Sequence, residues 1–333
     1  MNGSTVRVIL HPSSKRKILQ TLLCLSAWLS IAANAAPVQP QPRPATMARL
    51  AAQSMLLDAA VAGKRVVAVG ERGHILVSDD NGTLWHQVPV PTQATLTAVY
   101  FVDAQHGWVV GHDATILHSN DGGDNWVLQH QAPQDQQPLL DIWFKNKNDG
   151  YAFGAYGLYL VTHDGGQSWS AKTINSEEDF HFNSVISTTD GQLYIAGEAG
   201  SLYRSPDPAQ GWSKLKSPYK GSFFGILALE DNSLIIFGLR GKIYRSTDQG
   251  DTWTEIQSRT EASLMGGTVL KDGRVFIVGL GGVILESTDA GQSFTLHTRA
   301  DRIGLSTILQ TPRKNLLVFG EMGVEPHKNG IKK

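Results

Sequence analysis

The chain has 333 residues, with 29 lysines and arginines, 30 aspartates and glutamates, a formal net charge of −1 and one cysteine. The near-equal numbers of basic and acidic residues argue against a general nucleic-acid-binding protein, which would carry a basic excess. A single cysteine excludes an intramolecular disulfide or a cysteine-based zinc site. The 34 glycines are about 10% of the chain, above the usual ~7%, and indicate many turns.

Residues 1–35 have the organisation of a cleaved secretory signal peptide. Residues 1–17 hold four cations and no acid, residues 18–31 are mostly apolar, and Ala33-Asn34-Ala35 offers the small-x-small pattern of a cleavage site. The apolar run is shorter than the ~20 residues that a membrane-spanning helix needs. Cleavage would leave 298 residues with 25 basic and 30 acidic side chains. The sequence therefore predicts export to a periplasm or lumen without a membrane span; an uncleaved anchor is the alternative.

Residues 36–54 are predicted to be a linker. Residues 37–44 read Pro-Val-Gln-Pro-Gln-Pro-Arg-Pro, a composition that is extended and cannot join the interior of a sheet.

Residues 55–325 repeat one unit about every 42 residues. Short apolar runs end in glycine seven times, at intervals of 41 to 43 residues, at Gly70, Gly111, Gly154, Gly197, Gly238, Gly279 and Gly320. A further short run precedes each of them, and two more follow in most units. Four short strands for each unit are typical of a propeller blade. The sequence predicts an all-β, seven-bladed β-propeller.

An Asp-box motif, Ser/Thr-x-Asp-x-Gly-x-x-Trp, separates the third and fourth runs. Its aspartates are Asp80, Asp121, Asp164, Asp207, Asp248 and Asp289, and its tryptophans are Trp85, Trp126, Trp169, Trp212 and Trp253. The copy around Asp207 has lost its glycine. We expect each carboxylate to accept backbone N–H groups of its own turn, and each aromatic ring to pack between sheets. These residues are predicted to be structural; catalysis or calcium binding is the alternative.

The last blade lacks an Asp box. Residues after Gly320 are few, and 326–333 are predicted to be a tail. The segment 46–53 is therefore a candidate outer strand for this blade, which would close the ring by pairing the two ends of the chain.

One face of the predicted propeller collects polar and aromatic side chains. Strand order places on it the turns between second and third strands and the links between blades. The candidate partner-binding residues there are Arg72, His112, Tyr156, Glu198, Phe223, Phe224 and Arg240. A polar ring around aromatic side chains suits a peptide or protein segment. The alternative is that the aromatic rings pack between blades and the charges are only solvated.

No catalytic constellation or metal-ligand spacing occurs in the sequence. Sialidases are also Asp-box propellers, but they need a cluster of three arginines, and only Arg72 and Arg240 occupy corresponding turns. We therefore predict no enzyme activity, no cofactor and no metal. A glycan-binding or sialidase-like glycoside hydrolase is the alternative, since Glu71, Glu198 and Glu321 could converge on one face.

The repeated pattern strand-Gly-x-x-Gly-strand-Asp-box resembles the photosystem II stability and assembly factor family over residues 55–323, most closely at Ile116–Trp126 and Tyr151–Trp169. The resemblance implies an exported, non-catalytic seven-bladed propeller that acts in photosystem II assembly by binding a membrane-embedded subunit. For this chain it implies a scaffold for a membrane or exported protein. We further expect a monomer with no nucleic-acid partner. A basic patch of the kind that photosynthetic members use is not evident in the sequence.

Overall fold

The computed structural model describes residues 43–327, and the predicted signal peptide lies outside the described residues. Residues 43–327 form seven antiparallel sheets that follow one another along the chain. Each first strand contacts the first strand of the next sheet, and the first strand of the seventh contacts that of the first. The sheets are therefore blades around one axis, and the predicted seven-bladed propeller is confirmed.

Blades 1 to 6 have four strands and blade 7 has three. Blade 1 comprises Leu56–Ala62, Arg65–Gly70, Ile75–Ser78 and His86–Gln87, and blade 2 comprises Leu96–Phe101, Gly107–Gly111, Ile116–Ser119 and Val127–His130. Blade 3 comprises Leu139–Phe144, Gly150–Gly154, Tyr159–Thr162 and Ser170–Ala171, and blade 4 comprises Phe182–Ser187, Leu193–Gly197, Leu202–Ser205 and Ser213–Lys214. Blade 5 comprises Phe223–Ala228, Leu234–Gly238, Ile243–Ser246 and Thr254–Ile256. Blade 6 comprises Leu264–Val269, Val275–Gly279, Val283–Ser287 and Thr295–Thr298, and blade 7 comprises Leu305–Gln310, Leu316–Gly320 and Gly323–His327.

Short 3-10 turns join the second and third strands of blades 1 to 6. They are Glu71–Gly73, His112–Ala114, Ala155–Gly157, Glu198–Gly200, Leu239–Gly241 and Leu280–Gly282, and two further turns lie at Ala51–Gln53 and Pro208–Gln210. Within residues 43–327, no helix has the length and apolar character needed to cross a bilayer.

The second strand of each blade forms the core. Every residue of Gly107–Gly111, for example, is buried, and the same holds for the second strands of blades 3 to 7. A neighbouring blade covers each face of these strands, so both alternating sets of side chains are buried. This explains why the sequence shows continuous apolar runs there.

Each first strand contains a β-bulge at its second residue. The seven extra residues are Leu57, Thr97, Leu140, Asn183, Phe224, Met265 and Ser306. All seven line a cavity of 180 Å³, together with the residue that follows each of them. A bulge interrupts the alternation of a strand and re-aims a side chain. Here it turns one residue from each blade toward the propeller axis.

The structure has no strand at the predicted closing strand 46–53 but a strap, here residues 43–55, that runs from the link after blade 1 to the seam between blades 7 and 1. The backbone N–H of Ala45 donates to the carbonyl of Val90 at 2.9 Å, and the Gln87 side chain bonds the backbone of Thr46 and Ala48. Ala51 is buried in the cluster that joins the two blades. The Ala52 side chain packs against the same cluster, so the end of the strap lies at the seam between the two blades.

The third strand of blade 7 forms the outer edge of its sheet. Gly320 pairs with Gly323 across a two-residue turn, and the register places Pro326 opposite Leu317. Alternate pairs of an antiparallel ladder are hydrogen-bonded, so the Pro326 nitrogen faces the outer edge. Proline has no N–H, and the edge therefore lacks a donor at its centre. Pro326 and His327, predicted as tail, belong to this strand.

Candidate functional site

The turns between second and third strands and the links between blades lie on one face, here called the turn face. The Asp boxes lie on the opposite face, here called the box face, where the backbone N–H groups of Gly122 and Gly165 donate to the turns between first and second strands. In blades 1 to 6, the second residue after the strand-ending glycine has a left-handed backbone, with φ between 53° and 66°. These residues are Arg72, Asp113, Tyr156, Ala199, Arg240 and Gly281.

Blade 6 has Gly281 at this position, so the turn itself needs no side chain there. A side chain at left-handed φ costs roughly 1–2 kcal/mol compared with glycine. Blades 1, 3 and 5 nevertheless carry Arg72, Tyr156 and Arg240, and all three are exposed. The side chains therefore stand out from the turn face at positions where glycine would form the turn with less strain.

Of the predicted site residues, Arg72, His112, Tyr156 and Arg240 are exposed on the turn face. Glu198 is half-buried, and its carboxylate accepts the backbone N–H of His181 at 3.2 Å. The His181 ring lies edge-on to the Tyr156 ring, with centroids 4.8 Å apart. Tyr156, His181 and Glu198 therefore form an aromatic and acidic group between blades 3 and 4.

The prediction for Phe223 is wrong because its side chain is completely buried. It packs against Tyr219 and Tyr244, with ring centroids 6.0 and 6.1 Å away, and presents nothing to a partner. Phe224 is the bulge residue of the same strand and lines the axial cavity. The bulge sends two adjacent and identical residues into different environments.

The arginines of the two faces differ in their partners. On the box face, Arg65 pairs with Asp79 at 2.7 Å and with Asp124 of the next blade at 2.6 Å. Arg204 and Arg245 likewise donate to backbone carbonyls of the following Asp box. These guanidinium groups are used to join neighbouring blades.

Arg240, by contrast, forms no ion pair with any residue of the described range. It lines a hollow of 670 Å³ together with Lys242 and Arg259. Arg259 is also exposed and also has a left-handed backbone, with φ of 60°, as has Arg302 in the next link. Sequence analysis did not single out Arg259 and Arg302 as site residues, because nothing in the amino-acid order distinguishes them from paired arginines. They form, with Arg240, a basic region over blades 5 and 6.

The Asp-box carboxylates are bound within their own turns. Asp164, for example, accepts the hydroxyl of Ser168 at 2.6 Å and its backbone N–H at 2.9 Å, and these bonds lower the pKa of Asp164 to about 2. Thr252 lowers the pKa of Asp248 to about 2 in the same way. The degenerate copy keeps one such bond, from Ala209 to Asp207 at 3.1 Å. Within residues 43–327, no three His, Cys, Asp or Glu side chains are grouped to hold a metal ion.

The Asp-box rings pack edge-on between blades or within their own blade. The Trp85 ring meets Phe319 of blade 7 at 6.1 Å between centroids, and the Trp212 ring meets Phe153 of blade 3 at 5.8 Å.

Two aspartates that the sequence analysis missed, Asp58 and Asp141, line the axial cavity. Each accepts a backbone N–H from the first strand of the next blade, from Val99 at 2.9 Å and from Val185 at 2.7 Å. Burial raises the pKa of each carboxyl to about 7, and the charge of Asp58 contributes to the rise at Asp141. The feature of the sequence that could have identified both residues is an aspartate at the third position of the first strand of a blade.

The three glutamates of the glycan-active alternative do not form one group. Glu71, Glu198 and Glu321 belong to blades 1, 4 and 7. Glu198 contacts His181, while Glu321 accepts the backbone N–H of Gly304 at 3.3 Å. Their contacts therefore give no support to a paired-carboxylate glycosidase site on the turn face.

The chain matches the family model described as photosynthesis system II assembly factor YCF48 over residues 77–138 and 128–273, which together cover more than half of it. It is 41% identical over 51 residues to the photosystem II assembly protein Ycf48 of Thermosynechococcus vestitus, a match that covers 14% of this chain and 15% of the relative. It is 35% identical over 77 residues to the chloroplastic photosystem II stability/assembly factor HCF136 of Cyanidioschyzon merolae, covering 21% and 18%. These matches therefore span less than a fifth of each relative's length.

Solved structures match over nearly the whole propeller. A structure of YCF48 bound to a D1 peptide has a TM-score of 0.69 at 19% identity, covering 87% of this chain and 97% of that one. YCF48 from Cyanidioschyzon merolae has a TM-score of 0.65 at 20% identity, covering 84% and 96%. The WD40 propeller domain of Doa1 scores 0.65 at 13% identity, covering 87% and 97%. At these identities the likeness establishes the fold alone.

Proposed function

The chain belongs to the photosynthesis system II assembly factor YCF48 family, and from this premise we propose that it is an exported, non-catalytic assembly scaffold. It binds a segment of a membrane or exported protein on its turn face. The relatives with local sequence similarity are named as assembly proteins, and one YCF48 structure holds a D1 peptide. For this chain the proposal names the class of partner, a peptide segment of such a protein.

The observation that carries the proposal is the set of exposed side chains held on strained turns. Arg72, Tyr156 and Arg240 occupy left-handed positions, where their side chains are exposed on the turn face. Strained backbone with exposed side chains is concentrated at functional sites in folded proteins. Arginine and tyrosine are also the residue types enriched in binding hot spots.

The non-catalytic part of the proposal is supported by the use of the carboxylates. The Asp-box aspartates are bound in their own turns, and the axial pair bonds to neighbouring backbone. Export is supported by the signal-peptide pattern of residues 1–35. Both assignments agree with a scaffold that works in a periplasm or lumen.

Glycine substitutions test the proposal without straining the fold. In Tyr156→Gly/Arg240→Gly two side chains are lost while both turns keep a residue that favours their backbone. The matched control is Lys314→Gly, because Lys314 is exposed, cationic and left-handed (φ 67°) but lies on the box face. Tagged protein is expressed in its own host, and partners are captured from detergent-solubilised membranes and identified by mass spectrometry.

We expect wild type and Lys314→Gly to recover the same membrane or exported protein, and the double variant to lose it. Equal recovery by the double variant would remove the turn face as the binding surface. If wild type recovers no such protein above an untagged control, the scaffold function itself is wrong.

A further inference from the structure

Over blades 2 to 6, the charges of the turn face that lack a lysine, arginine or carboxylate partner are separated by sign. The acidic sector, over blades 2 and 3 and the start of blade 4, comprises Asp113, Asp135, Glu177, Asp179 and Glu198. The basic sector, over the link into blade 5 and over blades 5 and 6, comprises Lys216, Lys220, Arg240, Arg259 and Arg302. Each sector contains one exception, Lys172 in the acidic sector and Glu261 in the basic sector.

Other charges near these sectors are neutralised locally. Glu178 pairs with Lys214, Lys242 pairs with Glu255 at 2.6 Å, and Arg299 pairs with Asp301 at 2.5 Å. Over blades 2 to 6, the charges that remain free to meet a partner are therefore those that are separated by sign. A nearly neutral total charge hides this arrangement, which depends on the order of the blades around the ring.

We propose that the segment bound on the turn face is bipolar: an acidic stretch lies on the basic sector, and a basic stretch lies on the acidic sector. This inference rests on the proposed function and specifies the chemistry of its partner. The Debye length is about 8 Å at physiological ionic strength, so each sector acts on the part of the partner directly above it. Like-charge contact penalises the opposite placement, and the two sectors thereby fix the orientation of the segment.

The acidic sector offers a particular place for a cationic side chain. The Tyr156 ring is 56% exposed, and it stands beside His181, whose backbone N–H binds the Glu198 carboxylate. A lysine or arginine of the partner can lie over the aromatic face with its charge directed toward the carboxylates. The basic sector offers the hollow lined by Arg240 and Arg259 for carboxylates of the other end.

The test uses synthetic peptides of about 16 residues, long enough to reach roughly 50 Å when extended. The bipolar peptide has glutamates at one end, lysines at the other and glycine and serine between; the acidic and basic peptides replace one charged end with serines. Binding to the purified chain is measured by fluorescence anisotropy at low and physiological salt. We expect the bipolar peptide to bind at least about tenfold more tightly than either single-charge peptide.

Charge reversals separate the two sectors. Glu177→Lys/Asp179→Lys should weaken the bipolar peptide but not the acidic one, whereas Arg240→Glu/Arg259→Glu should weaken both. Each of these pairs only neutralises its sector. Adding Asp135→Lys and Lys216→Glu to all four substitutions reverses both sectors in one protein and should restore the bipolar peptide, which then binds in the opposite orientation. Lys314→Glu, on the box face, should change none of these affinities.

The inference is overturned if the bipolar peptide gains nothing over the acidic peptide, or if reversing both sectors leaves its binding as weak as either reversal alone. The membrane capture described above distinguishes this failure from failure of the proposed function. If Tyr156→Gly/Arg240→Gly loses the natural partner while Glu177→Lys/Asp179→Lys retains it fully, the scaffold function stands and the bipolar segment does not.

Discussion

The axial aspartates give a sharp prediction about stability and pH. Burial raises the pKa of Asp58 from its ordinary 3.8 to about 7. A carboxyl whose pKa is raised in the folded protein contributes fully to stability at pH values below its pKa in the unfolded chain. This contribution is lost as the pH rises through its pKa in the folded protein. The loss therefore begins near pH 4 and is complete a little above pH 7. A difference of about three in pKa corresponds to about 4 kcal/mol.

Asp58→Asn removes this loss, because the amide resembles the protonated acid in shape and its oxygen can still accept the Val99 N–H. We expect the variant to match wild type near pH 4 and to be more stable at about pH 8, by up to about 4 kcal/mol. Part of this gain in stability comes from Asp141, because the charge of Asp58 helps to raise the pKa of Asp141 and the variant removes that charge.

Urea unfolding of wild type and variant across this pH range measures the effect. Asp179→Asn is the matched control, because Asp179 is exposed in a blade link, and its difference from wild type should not follow the change with pH that burial gives Asp58. If the difference between Asp58→Asn and wild type is also flat from pH 4 to 8, the carboxyl is not protonated in the folded state near neutral pH. A variant less stable than wild type at pH 8 would show that the ionised form stabilises the ring.

Further predictions concern ring closure and the turns. Gly323→Ala should destabilise the protein by about 2–4 kcal/mol, because its Cβ would lie 1.9 Å from the Ala52 carbonyl oxygen of the strap. Gly273→Ala has a similar φ and nothing within 4 Å, so equal losses in thermal unfolding would refute the strap contact. Arg240→Gly should leave stability within about 1 kcal/mol of wild type, and a larger loss in urea unfolding would mean that this side chain supports the blade. Pro326→Val restores an outward N–H on the edge of blade 7 and should produce concentration-dependent association in light scattering; a variant that stays as dispersed as wild type would show that Pro326 does not protect this edge.

The repeat made the fold readable from the sequence. Strand-ending glycines such as Gly111 recur at one spacing because a Cβ there would meet the backbone of the adjacent first strand, 2.2 Å from the Thr95 carbonyl oxygen. The Asp boxes recur because each turn binds its own carboxylate. Contacts of this kind involve residues that are close together in the sequence. The number and the bounds of the blades could therefore be predicted from the sequence.

Features that depend on contacts between blades were not readable. Phe223 and Phe224 are identical neighbours, and only a bulge decides that one enters the core and the other the axial cavity. The sequence around Arg65 and Arg240 does not distinguish them. In the structure Arg65 pairs with aspartates of two Asp boxes, whereas Arg240 lines a hollow on the opposite face. The alanines of the strap indicate neither strand nor helix, and only the fold shows that Ala51 and Ala52 pack at the seam between blades 7 and 1.

Photo-crosslinking in living cells tests the central claim most directly. A benzophenone amino acid is placed at Tyr156 in one strain and at Lys314 in another, so that the two exposed left-handed positions report on opposite faces. We predict that the Tyr156 position crosslinks to a specific membrane or exported protein and that the Lys314 position does not. The same protein captured at both positions, or captured only at Lys314, would contradict binding through the turn face.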